Sequence, residues 1–326
     1  MVSAILMAGY NNKRAVKKYS RIVAENYGET FIETGYKPLR EFETIKDGRK
    51  ESRPLIQYTL EKLLSCDLIG DIVIVGHKML LEQRLGNYIN KFEKPCKIVS
   101  QNSKIPPNVI ERFDILQKKV KYNSIAGNLI KGYGASNAFQ KRKHALIVAS
   151  DSPLTTEEFI ERLLNAVKQF QEQTAIIFPA VIIHEHRDKL GRPPIRFLND
   201  TSYQLSNETD NYGRQGFRSS SLMFLNPHLF NMNTVNTAYS LRKLLNPRAQ
   251  LRLFRITRSL GYPNVYSKYF LRKNLSIKEV ESITSKFFEG RVKLIPMTGE
   301  DATYDYDGTD FEYLMITEML NSSFNG

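Results

Sequence analysis

The sequence predicts an α/β protein: a three-layer sandwich with a mostly parallel sheet between two layers of helices. Short apolar runs of strand length alternate with stretches of helical periodicity, the pattern of strands joined by crossover helices. Several runs break off at a glycine or an aspartate, at the strand ends where such sheets bind ligands. With 326 residues, 41% apolar and 11% aromatic, the chain is long enough to bury a large core.

The elements follow in order. Residues 4–7 ("AILM") form a first strand that stops at Gly9, ahead of a basic stretch with Arg14, Lys17 and Lys18. Residues 54–64 read as a helix opened by a proline, 71–76 ("DIVIVG") as a second strand, and 97–100 ("KIVS") as a weaker third. Residues 125–139 suit a glycine-interrupted helix, and 144–150 ("HALIVAS") make the best buried strand of the chain. A helix over 155–171 has Thr155 or Thr156 as its cap, with Glu157 and Glu158 where the helix dipole favours carboxylates. Residues 174–183 form another strand. The polar, turn-rich stretch 184–218 reads as a long loop or ribbon. Helical periodicity returns over 239–260 and 276–288; a last strand at 291–296 and a helix at 311–320 close the chain. With no repeat and no linker, a single domain, 1–326, is expected, in which 184–290 supply loops and an inserted helical lobe.

Composition narrows the function. No apolar stretch approaches the ~20 residues of a helical span, and the start lacks a secretory leader, so a cytoplasmic location without a membrane partner is expected. Cys66 and Cys96 have no metal-type spacing and read as buried small hydrophobes. The formal charge of +13 attracts polyanions: nucleotides, sugar phosphates, nucleic acid or acidic lipid. The short basic runs near Lys118 and Lys141 lack interleaved aromatics, so nucleic acid is not an expected partner.

Three features fall where strands of such a sheet end. The first loop, from Met7, Ala8 and Gly9 into Tyr10 and Asn11, has backbone N–H groups suited to phosphate. Lys37 precedes a proline that fixes its backbone. Asp151 ends the best buried strand, a natural place for a hard-oxygen ligand of Mg²⁺, and "DYD" from Asp305 offers Asp305 or Asp307 as a second carboxylate. Glycine, lysine and two aspartates in this order suit nucleotidyl transfer.

These residues carry a resemblance. "AGYNNKR" (8–14), "KPL" (37–39), "RPLIQYTLEKL" (53–63), "DSP" (151–153) and "DYDGTDFEYL" (305–314) follow the motif order of the molybdopterin-guanylyltransferase-like NTP transferases. That family also contains the sugar-phosphate nucleotidyltransferases. The departures are Tyr10 and Asn12 in place of small residues, and an insertion of about 16–36 before Lys37. The resemblance implies a glycosyltransferase-A type, Rossmann-like nucleotidyltransferase fold. It also implies an enzyme that transfers an NMP group from an NTP to a small phosphorylated acceptor, with Mg²⁺ and release of pyrophosphate. Arg14, Lys37 and Asp151 would be catalytic, and Met7, Ala8, Gly9, Tyr10, Asn11 and Lys37 would bind nucleotide. Asp151 and Asp307 would hold metal, with Asp305 as a substitute, and Arg218 and Ser219 would contact the acceptor within 184–290.

Two other readings stay open. Tyr10 and Asn12 could crowd the phosphates and leave a catalytically weakened nucleotide-binding regulatory protein of the same fold. Charge alone would suit a basic nucleic-acid-associated protein. Asp151 could cap the following helix, and Asp305 with Asp307 could be a plain acidic turn.

Overall fold

The computed structural model describes residues 1–9, 36–46, 48–113, 120–121, 123–170, 173–184, 194–201, 213–241 and 247–324. The first half runs β1 (Val2–Ala8), β2 (Glu41–Lys46), β3 (Arg49–Pro54), α1 (Leu55–Ser65), β4 (Ile69–Gly76), α2 (Lys78–Ile89) and β5 (Cys96–Ser100). It continues through α3 (Pro107–Arg112), α4 (Ile125–Ala135), α5 (Asn137–Lys141), β6 (Ala145–Ala149) and α6 (Glu157–Val167). The second half has β7 (Ile176–Ile183), β8 (Ile195–Leu198), β9 (Arg214–Ser219) and β10 (Leu222–Leu225). Then follow α7 (Val235–Leu241), α8 (Pro247–Ser259), α9 (Ile277–Phe288), β11 (Val292–Met297) and α10 (Asp310–Phe324).

Among the described residues, nine strands form one sheet. Its central part, β5-β4-β1-β6, is parallel throughout. These strands are apolar because both faces are covered, and alternate residues feed opposite layers. Ala4, Leu6, Ile72, Ile74, Leu146 and Val148 pack under α1, α2 and α6. Ile5, Val73, Val75, Ala145 and Ile147 pack under α4 and α5 on the other side.

The sheet is mixed where the sequence suggested a mostly parallel one. β10 inserts antiparallel between β6 and β7, β9 continues along β7, and β8 pairs antiparallel with β9. β11 restores the parallel sense on the far edge of β7. The polar stretch expected as a loop or ribbon therefore contributes β8 and most of β9, its side chains too weakly alternating to announce strands.

Other expectations shift at their ends. The helix expected over 125–139 breaks at Ser136, whose backbone is extended. Ser3 Oγ donates to Asp71 Oδ1 at 2.6 Å, and Asp71 Oδ2 accepts from Asn137 N at 3.1 Å, so a buried carboxylate starts α5 afresh. Thr156 caps α6 by accepting from Phe159 N at 3.1 Å, which relieves Asp151 of that role, and the helix ends at Val167. The periodicity over 239–260 belongs to α7 and α8. The β2-β3 hairpin went unpredicted; its residues are largely charged, and among the described ones Phe42, Thr44 and Pro54 are buried.

A third apolar cluster supports the site. Phe42 and Tyr58 pack with Leu154, Tyr304, Tyr306, Ile316 and Leu320, joining the hairpin and α10 to the end of β6.

Candidate active site

Three segments distant in sequence converge beyond the carboxyl ends of β1 and β6. Lys37 opens a single turn of 3-10 helix, Lys37–Leu39, with Pro38 and Leu39 buried beneath it. The buried apolar side chains fix the turn and leave the Lys37 side chain part-buried at the strand end. Lys37 Nζ donates to Asp151 Oδ2 at 2.6 Å and lies 3.8 Å from Asp307 Oδ1.

Asp151 follows β6 directly. Ser150 N donates to Met7 O at 3.2 Å, which carries the parallel β1-β6 pairing one step beyond the strands. The Asp151 carbonyl accepts from Tyr306 N at 2.8 Å, so backbone pairing brings the late acidic segment beside the strand end. Along that segment Tyr304 and Tyr306 are buried, and the alternation turns Asp305 and Asp307 outward. Tyr306 is thus the anchor of the D-x-D motif; its ring also lies 5.8 Å from Lys37 Nζ and 5.3 Å from the Arg40 guanidinium.

The electrostatics follow from this packing. Burial works against the Lys37 ammonium, but the charge and hydrogen bond of Asp151, with Asp307 and Asp305 behind it, outweigh burial and raise its pKa. Asp307 is pushed above the ordinary carboxylate range, first by desolvation on its inner side and then by Asp305, while Lys37 opposes. Its side chain is still 69% exposed, so solvent damps that effect.

The first loop begins in a crowded place. A Cβ at Gly9 would come within 2.9 Å of Asn128 Nδ2 and 3.2 Å of Gln101 Oε1. Asn128 is buried on α4, and its Oδ1 has no hydrogen-bond partner among the described residues. Lys131, one turn further along α4 and also buried, donates to the carbonyls of Gln101 and Ser103, the latter at 3.1 Å. Burial lowers the Lys131 pKa to about 8. The chain end of β1 is held by Tyr36, whose hydroxyl donates to Ala8 O at 2.5 Å and accepts from His77 N at 3.0 Å.

Of the residues singled out from sequence, the structure brings Lys37, Asp151 and Asp307 together and sets Met7, Ala8 and Gly9 at the neighbouring strand end. Tyr10, Asn11, Asn12 and Arg14 lie outside the described residues. Arg218 and Ser219 sit on β9 in register with Val181 and Ala180; their link to the site is Ser221, whose carbonyl accepts from Ala149 N at 3.0 Å. Sequence reading missed Tyr36, Gln101, Asn128, Lys131 and Tyr306. The one visible signal was a pair of polar residues, Asn128 and Lys131, spaced one turn apart on an otherwise apolar helix.

No family model matches the chain, and no curated protein does. Among solved structures, a hypothetical transferase from Thermus thermophilus aligns at 18% identity over 96% of this chain and 99% of its own, with a TM-score of 0.53. A 4-diphosphocytidyl-2C-methyl-D-erythritol synthase from Anaerococcus prevotii aligns at 13% identity over 98% and 95%, with a TM-score of 0.47. A CMP:2-keto-3-deoxy-manno-octonic acid synthetase complexed with CTP aligns at 9% over 99% and 100%, with a TM-score of 0.48. The likeness to the Thermus thermophilus protein, together with the strand order, shows the fold: an α/β sandwich whose sheet is parallel at the centre and mixed beyond.

Proposed function

We propose that the chain is a Mg²⁺-dependent nucleotidyltransferase that moves an NMP group from an NTP to a small phosphorylated acceptor and releases pyrophosphate. The observation that carries this reading is the convergence of Lys37, Asp151 and Asp307 on one strand-end site. The motif order in the sequence supports it independently of the geometry.

The donor set fits the metal. Asp151 and Asp307 are hard-oxygen ligands facing one ammonium, and Mg²⁺ asks for one or two protein carboxylates, with water and substrate phosphates completing its shell. Mg²⁺, when bound, would neutralise triphosphate charge. Lys37 would exchange its bond to Asp151 for triphosphate oxygens. The loop from Met7 through Gly9 to Asn11, with Arg14, would present N–H groups and a cation to the same phosphates. Asn128 would offer its Oδ1, which has no partner among the described residues, to the nucleotide beside Gly9. An acceptor phosphate oxygen, oriented by Arg218 and Ser219, would attack the α-phosphorus in line; a P–O bond forms as the bond to pyrophosphate breaks.

The test is pyrophosphate release from each of the four NTPs with Mg²⁺, against a panel of sugar, polyol and alcohol phosphates. One productive NTP and acceptor pair is expected. Nucleotide binding without turnover of any pair would replace this reading with the weakened, regulatory one.

A further inference from the structure

The excess positive charge is not spread evenly. Residues 211–278 contain twelve Lys and Arg and no Asp or Glu, in a chain whose net charge is +13. Its described residues include β9, β10 and the helical lobe of α7 and α8, remote in sequence from Lys37 and Asp151.

Within the lobe the charge has a direction. Arg248, Arg252, Arg255 and Arg258 recur every three or four residues on α8 and are exposed, whereas Ala249 and Thr257 are buried on its other side. Leu251 lies in the arginine face and is 58% exposed. A second apolar point is the turn Ser267–Leu271, where Phe270 is 56% and Leu271 80% exposed, followed by exposed Arg272. The turn is fixed to α8: Tyr266 OH donates to Gln250 O at 2.6 Å, and its ring stacks on Phe270 at 5.7 Å and meets Phe254 edge-on at 5.6 Å.

We propose that this lobe, contrary to the expectation of no membrane partner drawn from the sequence, docks the protein peripherally on an anionic lipid bilayer. Guanidinium groups would pair with lipid phosphates while Leu251, Phe270 and Leu271 enter the boundary between headgroups and acyl chains. A nucleic acid would use the same cations but not the same apolar residues. Leucine has no π-face for a base, and Tyr266 covers one face of Phe270. No spanning helix is involved: among the described residues none is long and apolar enough to cross a membrane.

Co-sedimentation of the full chain with vesicles decides the matter. Binding is expected to vesicles of phosphatidylcholine mixed with phosphatidylglycerol, falling with salt, and not to phosphatidylcholine alone. Replacing Arg252, Arg255 and Arg258 together by Gln should weaken it by on the order of a hundredfold. Phe270→Ser with Leu271→Ser should weaken it by roughly tenfold or more at unchanged charge. Leu271→Ser alone, at the most exposed position, serves if the multiple variants fail to fold by circular dichroism. Equal binding to both vesicle types, binding to neither, or an oligonucleotide that displaces the vesicles and is indifferent to Leu271→Ser would overturn the proposal.

Discussion

Lys37 and Asp151, 114 positions apart, share a hydrogen-bonded ion pair of 2.6 Å at the point where β1 and β6 end. The pair is partly open to solvent, with side-chain exposures of 26% and 28%. As a stabilising contact it is worth at most about 1 kcal/mol. Its position, rather than its strength, makes it the centre of the proposed site.

Lys37→Met and Asp151→Asn should each reduce pyrophosphate release by on the order of 10²- to 10³-fold while leaving the melting temperature nearly unchanged. If both groups serve one triphosphate-metal assembly, the double variant should lose little more than either single one. Steady-state kinetics on the three variants tests this; multiplicative losses would mean separate roles.

Asp307→Asn should move two observables in opposite directions. A carboxyl whose pKa is raised on folding destabilises the fold once it ionises, and that cost sets in as pH rises from 3.8 through the raised value. Removing the charge should therefore raise the melting temperature of the metal-free protein slightly at pH 7. The further rise on adding Mg²⁺ and NTP should shrink. Asp305→Asn should show a smaller loss of that response, since Asp307 is the carboxylate 3.8 Å from Lys37.

Gly132→Ala should destabilise the protein by about 1–3 kcal/mol, although alanine gains about 1 kcal/mol over glycine in a helix. A Cβ at this position would lie 2.4 Å from Ile5 Cγ2 and 2.8 Å from Val75 Cγ2, where α4 packs on β1 and β4. Urea denaturation measures the sign.

His228 should make the fold sensitive to acid. Burial, then the charges of Arg112 and Arg142, lower its pKa to about 4, and its ring packs 4.7 Å from Phe113. A depressed histidine contributes stability that is complete above its ordinary value of 6.5 and is lost as pH falls toward 4. In His228→Phe, unfolding free energy measured between pH 7 and pH 4.5 should fall less steeply than in the parent chain.

The central sheet was legible because β1, β4 and β6 are buried on both faces and so write continuous apolar runs. The hairpin β2-β3 was not, because its stability comes from Phe42 and from α10, a partner about 270 residues away in the hydrogen bond from Glu43 N to Tyr313 OH. The same holds for the site. Lys37 and Asp151 could be read from short motifs at strand ends. Tyr306, which pins the acidic segment to Asp151, shows its role only once Phe42 and Leu154 close around it. Gln101 was hidden for a similar reason: its carbonyl accepts from Lys131 only in the folded chain.

A crystal structure of the chain with CTP or GTP and Mn²⁺ in place of Mg²⁺ tests the central claim most directly, since anomalous scattering locates the metal. The metal should lie on Asp151 and Asp307, with the triphosphate against Lys37 and the loop that begins at Gly9. A nucleotide bound elsewhere, or a metal that touches neither carboxylate, would contradict the assignment.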